Sequence, residues 1–556
     1  MFSICVLSIV IDAARVSRMS MVDQNVFGNQ ETLIQSLIAT IERGRHPVQV
    51  FETHISWVLV AGKYAYKFKK ALHLDFLDFS TLDARHFYCK EEWRLNRRLA
   101  SDMYLGVVAI TGSATHPVIG GGGTPIEYAV KMRAFPQRAL WSSRIEKNCL
   151  SEREIDDLGR TLANFHQGAA VAPKESAWGS CEALQKSANE NLDLAISMAR
   201  NTEEKRKFSD LKTWHMAQLR KLRTVFEKRK AEGSVRECHG DLHSGNILTI
   251  DDQVTVFDCI EFNESLRWID VMNDLAFIYM DLKFHGLHAL AARLLNGYLQ
   301  IAGDYEGLAV LRYYQIQRAL VRCKVNLLRS RQLEAHMQAA TPHQTQAAEY
   351  LAFCLQNIGP APSAIVIMHG YSGSGKSVFS MQLVEIIGAL QIRSDVERKR
   401  LLGIRPSPAG TASLEKGIYA RAATHATYDR LRMLALCVAD SGMPVIVDAA
   451  FLKRQQRKIF EEMAIALGLP FFIIDIHASE ATLQARVAGR AQLGNDPSDA
   501  GLEVLTHQLQ HSEALSDDEK KYTICIDSDA GLERGLVQKA CEPIIVALRN
   551  SAVDYS

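Results

Sequence analysis

The chain has 556 residues, which is too long for a single hydrophobic core, so we expect two or three domains. It is 47% hydrophobic and 23% charged, and its 64 basic residues nearly balance 63 acidic ones. This ordinary globular composition excludes an overall field that would attract nucleic acid or a membrane surface, although it leaves room for a local nucleic-acid groove.

The eleven cysteines are scattered and include no C-x-x-C pair. Their spacing argues against a zinc site and a disulfide framework, and it favours the reducing cytoplasm. No apolar run is long enough to cross a bilayer, so we expect no association with membranes. Residues 1–24 begin with a short apolar run that lacks a basic flank, and we expect a disordered or over-extended N-terminus there.

The segment from residue 50 to residue 135 is predicted to be rich in short strands, which we place at 57–60, 64–68, 107–110 and 126–135. One helix, residues 81–99, interrupts them and places Phe87, Leu95 and Leu99 on one face. The remaining pattern is helical at 151–230, strand-rich at 235–263 and helical at 268–357.

The most informative motif of this half is His239-Gly-Asp241-Leu-His243-Ser-Gly-Asn246, which has the H-x-D-x-x-x-x-N spacing of kinase catalytic loops. Asp258 follows after a predicted strand, and a hairpin brings it to the same end of the sheet as the loop. Phosphoryl transfer requires an acid that accepts the proton of the acceptor hydroxyl, together with ligands for Mg²⁺. We expect Asp241 to be that acid, and Asn246 and Asp258 to be the metal ligands.

These residues resemble the aminoglycoside phosphotransferase family, whose loop reads H-G-D-x-H-x-x-N and is followed by a metal-binding Asp. The resemblance covers roughly residues 40–345 and implies a two-lobed, protein-kinase-like α+β fold. It implies that the stretch 64–67, Tyr-Ala-Tyr-Lys, carries the lysine that grips the α- and β-phosphates of ATP, and we choose Lys67. Lys69 points to the same side of the strand and is the alternative.

Further residues of the ATP site follow from the same resemblance. Glu91 shares a face of the predicted helix with Phe87 and is expected to pair with the lysine. Met132 lies in the stretch that resembles the strand and hinge bordering the adenine pocket. The chain departs from kinases because it lacks a G-x-G-x-x-G loop. Asp270 and Asp274 are expected to support loops and cap a helix, and to take no part in the chemistry.

Residues 357–363, Asn-Ile-Gly-Pro-Ala-Pro-Ser, mark a boundary because two prolines and a glycine interrupt helix and sheet alike. We therefore expect a kinase-like domain at 25–357, a linker at 358–363 and a second domain at 364–556.

The second domain is predicted to have an α/β fold with a parallel sheet, because strands at 364–369, 445–448 and 471–477 alternate with helices. The first strand leads into a full match to the P-loop pattern G-x-x-x-x-G-K-S. Glycines there let backbone N–H groups approach phosphate oxygens. We expect Lys376 to bridge the β- and γ-phosphates and Ser377 to bind Mg²⁺ as well. The expected nucleotide ligands are Gly370, Ser372, Gly373, Ser374, Gly375, Lys376 and Ser377.

Asp448 ends a predicted apolar strand, where a carboxylate faces the ligand crevice and holds the water shell of a metal. The alternative is a simple acid at a strand end. Arg486 and Arg490 are four residues apart on a predicted helix and therefore point the same way. We expect both to close over the γ-phosphate, and the alternative is a pair of surface arginines.

This half resembles the small P-loop kinases, most closely the 5′-end kinase domain of polynucleotide kinases and their zeta-toxin and gluconate-kinase relatives. The resemblance covers about 364–545 and includes the stretch 392–398, Ile-Arg-Ser-Asp-Val-Glu-Arg. It implies that Asp395 takes the proton of the accepting hydroxyl. A helix N-cap is the alternative role for Asp395.

The two halves together resemble a family of bacterial proteins in which an aminoglycoside-phosphotransferase-like domain is joined to an ATP-binding domain. We therefore predict a bifunctional kinase that uses ATP and Mg²⁺, each half transferring the γ-phosphate to a hydroxyl of a small molecule or of a nucleic-acid 5′ end. The basic stretch 203–230 disfavours a polycationic aminoglycoside as acceptor. The alternative is a regulatory switch in which one half is a degenerate nucleotide-binding module. Nothing in the sequence indicates an obligate protein partner.

Overall fold

The computed structural model describes residues 21–553, except 45, 54, 75–76, 335–341, 360, 405–420 and 494–500. The expected N-terminal segment 1–24 therefore lies almost entirely outside the described residues. No helix of the described ranges is long and apolar enough to cross a bilayer.

The chain forms two compact units. The first unit contains the residues up to 158, 165–285 and 310–358, and the second contains 159–164, 286–309 and 359 onward. The main break after residue 358 lies within the expected linker. The assignment of 286–309 to the second unit is a feature that the expected division did not include.

The helices of the described residues follow in chain order: α1 (Met21–Arg43), α2 (Leu82–Asn96), α3 (Trp141–Glu146), α4 (Glu152–Gly168), α5 (Cys181–Met198), α6 (Thr202–Lys221), α7 (Arg223–Ala231), α8 (Glu264–Arg267), α9 (Val271–Phe284), α10 (His288–Ala302), α11 (Leu308–Glu334), α12 (Pro342–Asn357), α13 (Lys376–Ile387), α14 (Ser394–Leu401), α15 (Arg421–Asp440), α16 (Arg454–Leu467), α17 (Glu480–Leu493), α18 (Leu502–His511), α19 (Asp517–Lys520), α20 (Arg534–Ala540) and α21 (Glu542–Val553).

The strands of the same residues are β1 (Val48–Glu52), β2 (Ser56–Ala61), β3 (Tyr64–Lys69), β4 (His73–Leu74), β5 (Leu77–Asp78), β6 (Tyr104–Ser113), β7 (His116–Ile119), β8 (Glu127–Arg133), β9 (Val235–Glu237), β10 (Ile247–Ile250), β11 (Gln253–Val256), β12 (Trp268–Asp270), β13 (Ile365–His369), β14 (Leu390–Arg393), β15 (Val445–Asp448), β16 (Phe471–His477) and β17 (Thr523–Asp527).

The first unit begins with a six-stranded antiparallel sheet in the order β1-β2-β3-β8-β6-β7. One face of this sheet packs against α1, where Leu33 and Leu37 lie against Leu59 and Phe68. The rest of the unit is mainly helical, with the hairpin β10–β11 set among the helices. This arrangement agrees with the expected α+β fold.

Helix α2 packs beside the six-stranded sheet and begins at the cap Thr81, whose side chain accepts a hydrogen bond from the N–H of Ala84. Its buried residues are Arg85, Cys89, Glu92, Leu95 and Asn96. Phe87 is 58% exposed, so the inward face predicted through Phe87 was wrong. Most of the residues that the helix buries are polar or charged. The spacing of apolar residues therefore predicted the wrong face of the helix to be buried.

The second unit contains a five-stranded parallel sheet in the order β14-β15-β13-β16-β17. The strands β15 and β16 agree with the predicted strands residue for residue. The P-loop follows β13, the central strand, and leads into α13. This topology confirms the predicted α/β fold and brings the carboxyl ends of β13, β14 and β15 to one edge of the sheet.

Helix α10 belongs to the second unit although it precedes the linker in sequence. It packs against α13 and β14, and its Ala292 lies in one buried cluster with Phe379 and Leu383 of α13. Arg293 of α10 forms an ion pair with Glu385 of α13 at 2.7 Å. The second unit is therefore incomplete without α10.

We predict that a fragment containing residues 359–556 alone is destabilised, because removal of α10 uncovers part of its apolar core. Its melting temperature should rise by about 5 °C or more when a peptide of residues 286–309 is added, as expected for a gain of about 2 kcal/mol. Differential scanning calorimetry measures the shift. The control is the same peptide with Ala292→Asp, which should not restore stability. Equal melting temperatures with and without the peptide would contradict the assignment of α10 to this unit.

Candidate active sites

The H-G-D loop of the first unit is buried and internally hydrogen-bonded. The Nδ2 of Asn246 donates to Asp241 Oδ2 at 3.0 Å and to the Asp241 carbonyl at 2.9 Å. His243 Nε2 lies 3.4 Å from Asp241 Oδ2. Burial alone would raise the pKa of Asp241, but the facing His243 holds it below its usual range. The side chain expected to be the base is therefore ionised and oriented by its neighbours.

Helix α9 holds this loop through two carboxylates that are seven residues, or about two turns, apart. Asp274 accepts the N–H of His239 at 2.9 Å and the N–H of Gly240 at 2.8 Å. Asp281 accepts the N–H of Ser244 at 2.9 Å. The expected supporting role of Asp274 is confirmed. The matching role of Asp281 was missed, and its spacing from Asp274 along an apolar helix was the available signal.

Among the buried side-chain oxygens that have no hydrogen-bond partner in the described residues are Asn246 Oδ1 and Asp258 Oδ2. Buried oxygens without a donor are costly, and hard cations such as Mg²⁺ bind amide and carboxylate oxygens. Asp258 also has a φ of 63°, a conformation that is uncommon outside glycine and that often marks functional sites. These residues therefore fit a magnesium ion, in agreement with the expected ligand pair.

The side chain of Lys67, on β3, extends to Asp258. Its Nζ lies 2.5 Å from Asp258 Oδ1 and 2.9 Å from Glu92 Oε1. Lys69, on the same side of the strand, contacts Glu92 and Glu261. Burial would raise the pKa of Glu92, but Lys67 and Lys69 lower it to about 2. The lysine expected to grip the phosphates is therefore held between two carboxylates.

The expectation that Glu91 pairs with this lysine is wrong. The Glu91 carboxylate contacts Arg94 at 2.9 Å and Arg267 at 3.9 Å. Glu92 occupies the inward position because α2 buries the face through Arg85 and Glu92. The error follows directly from the misassigned face of this helix.

An apolar pocket adjoins Lys67 and Asp258. Met132 of β8 lines it, as expected for a residue beside the adenine base. Its other apolar lining residues are Phe51, Val58, Val60, Ala65, Ala134, Phe135 and Phe257. An apolar surface, of the kind that contacts an aromatic base, therefore lies next to the charged side chains of Lys67 and Asp258.

The P-loop of the second unit packs closely against the backbone of strand β16. Gly370 has a φ of 141°, and a Cβ there would lie 2.5 Å from the carbonyl oxygen of Ile476. Gly375 has a φ of 97° and precedes α13. Lys376 Nζ donates to the carbonyls of Gly370 at 2.9 Å and Tyr371 at 2.6 Å, so it lies over the loop. Ser372, Gly373 and Gly375 line the adjoining cavity, whereas the side-chain oxygen of Ser374 is buried.

The expected metal-binding pair is together in this unit. Ser377 Oγ donates to Asp448 Oδ2 at 2.7 Å, at the carboxyl end of β15. The same oxygen accepts a hydrogen bond from Gln391 Nε2 at 2.9 Å. A hydroxyl beside a carboxylate is the donor set that P-loop proteins use for Mg²⁺, so these residues fit the ion. Gln391 was missed because a glutamine in a strand belongs to no sequence motif.

A cavity of about 600 Å³ adjoins the P-loop and contains both Lys376 and Asp395. Asp395 lies 2.8 Å from Arg398 and is in the first turn of α14, whose N-cap is Arg393. The capping alternative for Asp395 is therefore wrong. The cavity is also lined by cationic or titratable basic side chains: Arg393, Arg398, Lys453, Arg486, His507 and His511.

Arg486 of α17 lies beside the P-loop and donates to the Gly373 carbonyl at 3.3 Å and to Ser528 Oγ at 2.9 Å. This position is within the expected phosphate site. The side chain of Arg490 lies outside the described residues, so its expected role stays a prediction.

Comparison with known proteins gives two family matches. Residues 126–312 match the model of the phosphotransferase enzyme family, and residues 365–515 match the model of an AAA domain. An uncharacterized protein of Mycobacterium tuberculosis is 29% identical over 461 residues, which are 82% of this chain and 88% of the relative. An uncharacterized protein of Mycobacterium bovis matches equally well.

Solved structures similar to parts of the chain include kinases. A choline/ethanolamine kinase family protein from Mesorhizobium loti is 13% identical, with a TM-score of 0.34, over 56% of this chain and 88% of its own. A gluconokinase from Sinorhizobium meliloti is 23% identical, with a TM-score of 0.23, over 35% of this chain and 96% of its own.

The fold and the two family matches support a kinase-like phosphotransferase enzyme. The chain joins an aminoglycoside-phosphotransferase-like, protein-kinase-like region to a P-loop ATP-binding region, as the sequence predicted.

We predict that Glu92→Gln weakens ATP use by the first unit, because Lys67 loses the carboxylate that positions it. A lost charged hydrogen bond of about 2 kcal/mol corresponds to a rise of about 30-fold in KM for ATP. Glu91→Gln is the matched control and should leave KM unchanged. Both KM values are measured by steady-state ATP hydrolysis in chains that also carry Lys376→Ala, which disables the second unit. Thermal melting of each variant excludes unfolding. A larger effect for Glu91→Gln than for Glu92→Gln would contradict the assigned pair.

Proposed function

We propose that this protein is a bifunctional kinase in which each half transfers the γ-phosphate of Mg·ATP to the hydroxyl of an acceptor. The observation that carries the proposal is the presence of two separate sites, each with an acid for the acceptor, a lysine for phosphate and an oxygen pair for a metal. A chain that used ATP only as a switch would need no acceptor acid in either site.

In the first unit, Asp241 takes the proton of the acceptor hydroxyl. Its depressed pKa keeps the carboxylate ionised at neutral pH, and Asn246 orients one of its oxygens. Asn246 Oδ1 and Asp258 Oδ2 would hold the magnesium ion, which supplies charge neutralisation to the phosphates. Lys67 lies within reach of the same position and binds phosphate oxygens. Positioning and charge neutralisation carry most of such a reaction.

In the second unit, Lys376 and Arg486 bind phosphate oxygens, and Asp395 takes the proton of the acceptor. Ser377 and Asp448 would hold the ion. The basic lining of the cavity supports an acceptor that carries a negative charge besides its hydroxyl, either a small molecule or a nucleic-acid 5′ end.

An acceptor screen with each half disabled tests the proposal. Radiolabelled γ-phosphate from ATP is followed into pools of neutral alcohols, anionic alcohols and 5′-hydroxyl oligonucleotides. We expect Asp241→Asn to abolish transfer to one set of acceptors and Asp395→Asn to abolish transfer to another. Each loss should appear in kcat, by about 100-fold or more, because a base acts mainly in the transition state.

The double variant should transfer no phosphate, and Asp440→Asn, an exposed acid at the end of α15, is the matched control. Full transfer by the double variant, with nucleotide still bound, would contradict a kinase of this type in either half. Loss of every acceptor through one single variant would instead show that only one half is a kinase.

A further inference from the structure

Two side-chain amides, Gln391 (buried) and Gln300 (half-buried), link α10 to Asp448, the proposed metal-binding acid beside the P-loop. Gln300 of α10 donates from its Nε2 to Gln391 Oε1 at 3.1 Å. Gln391 Nε2 then donates to Asp448 Oδ2 at 2.9 Å and to Ser380 Oγ at 2.6 Å. Asp448 also accepts from Ser377 at 2.7 Å. The side chain of Gln391 therefore connects Gln300 of α10 to Asp448 at the expected magnesium site.

Further contacts hold the two residues of this amide chain, Gln300 and Gln391, in place. The backbone N–H of Gln391 donates to Asn296 Oδ1 of α10 at 2.9 Å, so α10 covers the edge of strand β14. Arg400 of α14 donates to the Gln300 carbonyl at 2.7 Å. Asn296 and Gln391 are each only 1% exposed. Water therefore does not compete for the hydrogen bond between the Gln391 N–H and Asn296.

The orientation of the Gln391 side-chain amide determines whether its NH₂ group or its oxygen faces Asp448. A side-chain amide has one accepting end and one donating end. Because Gln300 donates to the oxygen of Gln391, the NH₂ group of Gln391 faces Asp448. The hydroxyl of Ser380 donates to the Ser377 carbonyl at 3.3 Å, which leaves its oxygen free to accept from the same NH₂ group. If the amide turned over, its oxygen would face the carboxylate and repel it.

We propose that Gln391 and Gln300 are positioning residues for Asp448, so that α10 controls how the P-loop site uses Mg²⁺. Asp448 Oδ2 is held by Gln391 and Ser377, which fixes the direction of the carboxylate. The groups that orient a metal-binding carboxylate strongly influence metal affinity. The proposal rests on the proposed Mg·ATP site of the second unit and adds to it a helix that precedes the linker in sequence.

The test compares three variants of the full chain. Gln300→Glu places a carboxylate where an N–H donor was, so the NH₂ group of Gln391 turns toward position 300 and its oxygen faces Asp448. Gln300→Ala removes the donor without forcing this turn. Arg293→Ala is the matched control, since it removes an ion pair between α10 and α13 and leaves the side chains of Gln300 and Gln391 unchanged. Glu385 keeps its second partner, Arg534, at 2.7 Å.

The readout is binding of the fluorescent analogue mant-ATP as Mg²⁺ is titrated. The signal of the P-loop site is the difference between each variant and the same variant carrying Lys376→Ala. We expect Gln300→Glu to raise the Mg²⁺ concentration for half-maximal binding by about 10-fold, Gln300→Ala by less, and Arg293→Ala by less than about twofold. The affinity for mant-ATP measured with EDTA should be equal in all variants. A variant whose P-loop site had lost its structure would bind more weakly with EDTA as well.

Wild-type Mg²⁺ dependence in both Gln300 variants would overturn the proposal. It would also be overturned if Arg293→Ala raised the Mg²⁺ concentration for half-maximal binding as much as the Gln300 variants do. Because Gln300 is only half-buried, its replacement by alanine should not unfold the protein. If Gln300→Glu lowers the melting temperature, the Mg²⁺ dependence of Gln300→Ala is therefore the result that tests the proposal. A wild-type signal that is insensitive to Lys376→Ala would overturn the P-loop assignment itself, and this proposal with it. Absence of acceptor transfer would leave the binding test intact.

Discussion

The pairing of Glu92 with two buried lysines is the interaction on which the ATP site of the first unit depends. Lys67 and Lys69 lie on one strand and share this single carboxylate, while Asp258 and Glu261 compensate the remaining charge. Loss of one member leaves uncompensated charge in a buried environment, at a cost of about 3–5 kcal/mol. The sheet, helix α2 and the segment after β11 must therefore all be in place before the site exists.

The same constraint, that a buried carboxylate needs donors, shapes the remainder of both sites. Asp274 and Asp281 of α9 accept the backbone N–H groups of the H-G-D loop and fix its path. In the second unit, Asp448 accepts from Ser377 and Gln391. By contrast, Asn246 Oδ1 and Asp258 Oδ2 lack donors among the described residues, and these are the oxygens that a cation would use. In the first unit, the two proposed metal ligands thus each keep an oxygen without a donor, whereas Asp274 and Asp281 accept N–H groups of the loop.

Much of this could be predicted from sequence where local chemistry dictates the structure. The P-loop glycines, the strands β15 and β16 and the H-G-D motif are local signals, and all were predicted. Glu92 was not, because most of the buried face of α2 is polar and Phe87, which was assigned to that face, is exposed. The role of α10 was also missed, because its partners Gln391 and Glu385 lie more than 80 residues away in sequence. Such contacts depend on tertiary packing and have no local pattern.

The central claim is that one chain holds two independent Mg·ATP sites, and the number of nucleotides bound per chain tests it most directly. Isothermal titration calorimetry with a non-hydrolysable ATP analogue and excess Mg²⁺ should give two sites in the wild-type chain. Lys376→Ala should leave the site of the first unit, and Lys67→Ala should leave the site of the second. A single site in the folded wild-type chain, or two sites remaining in both variants, would contradict the account.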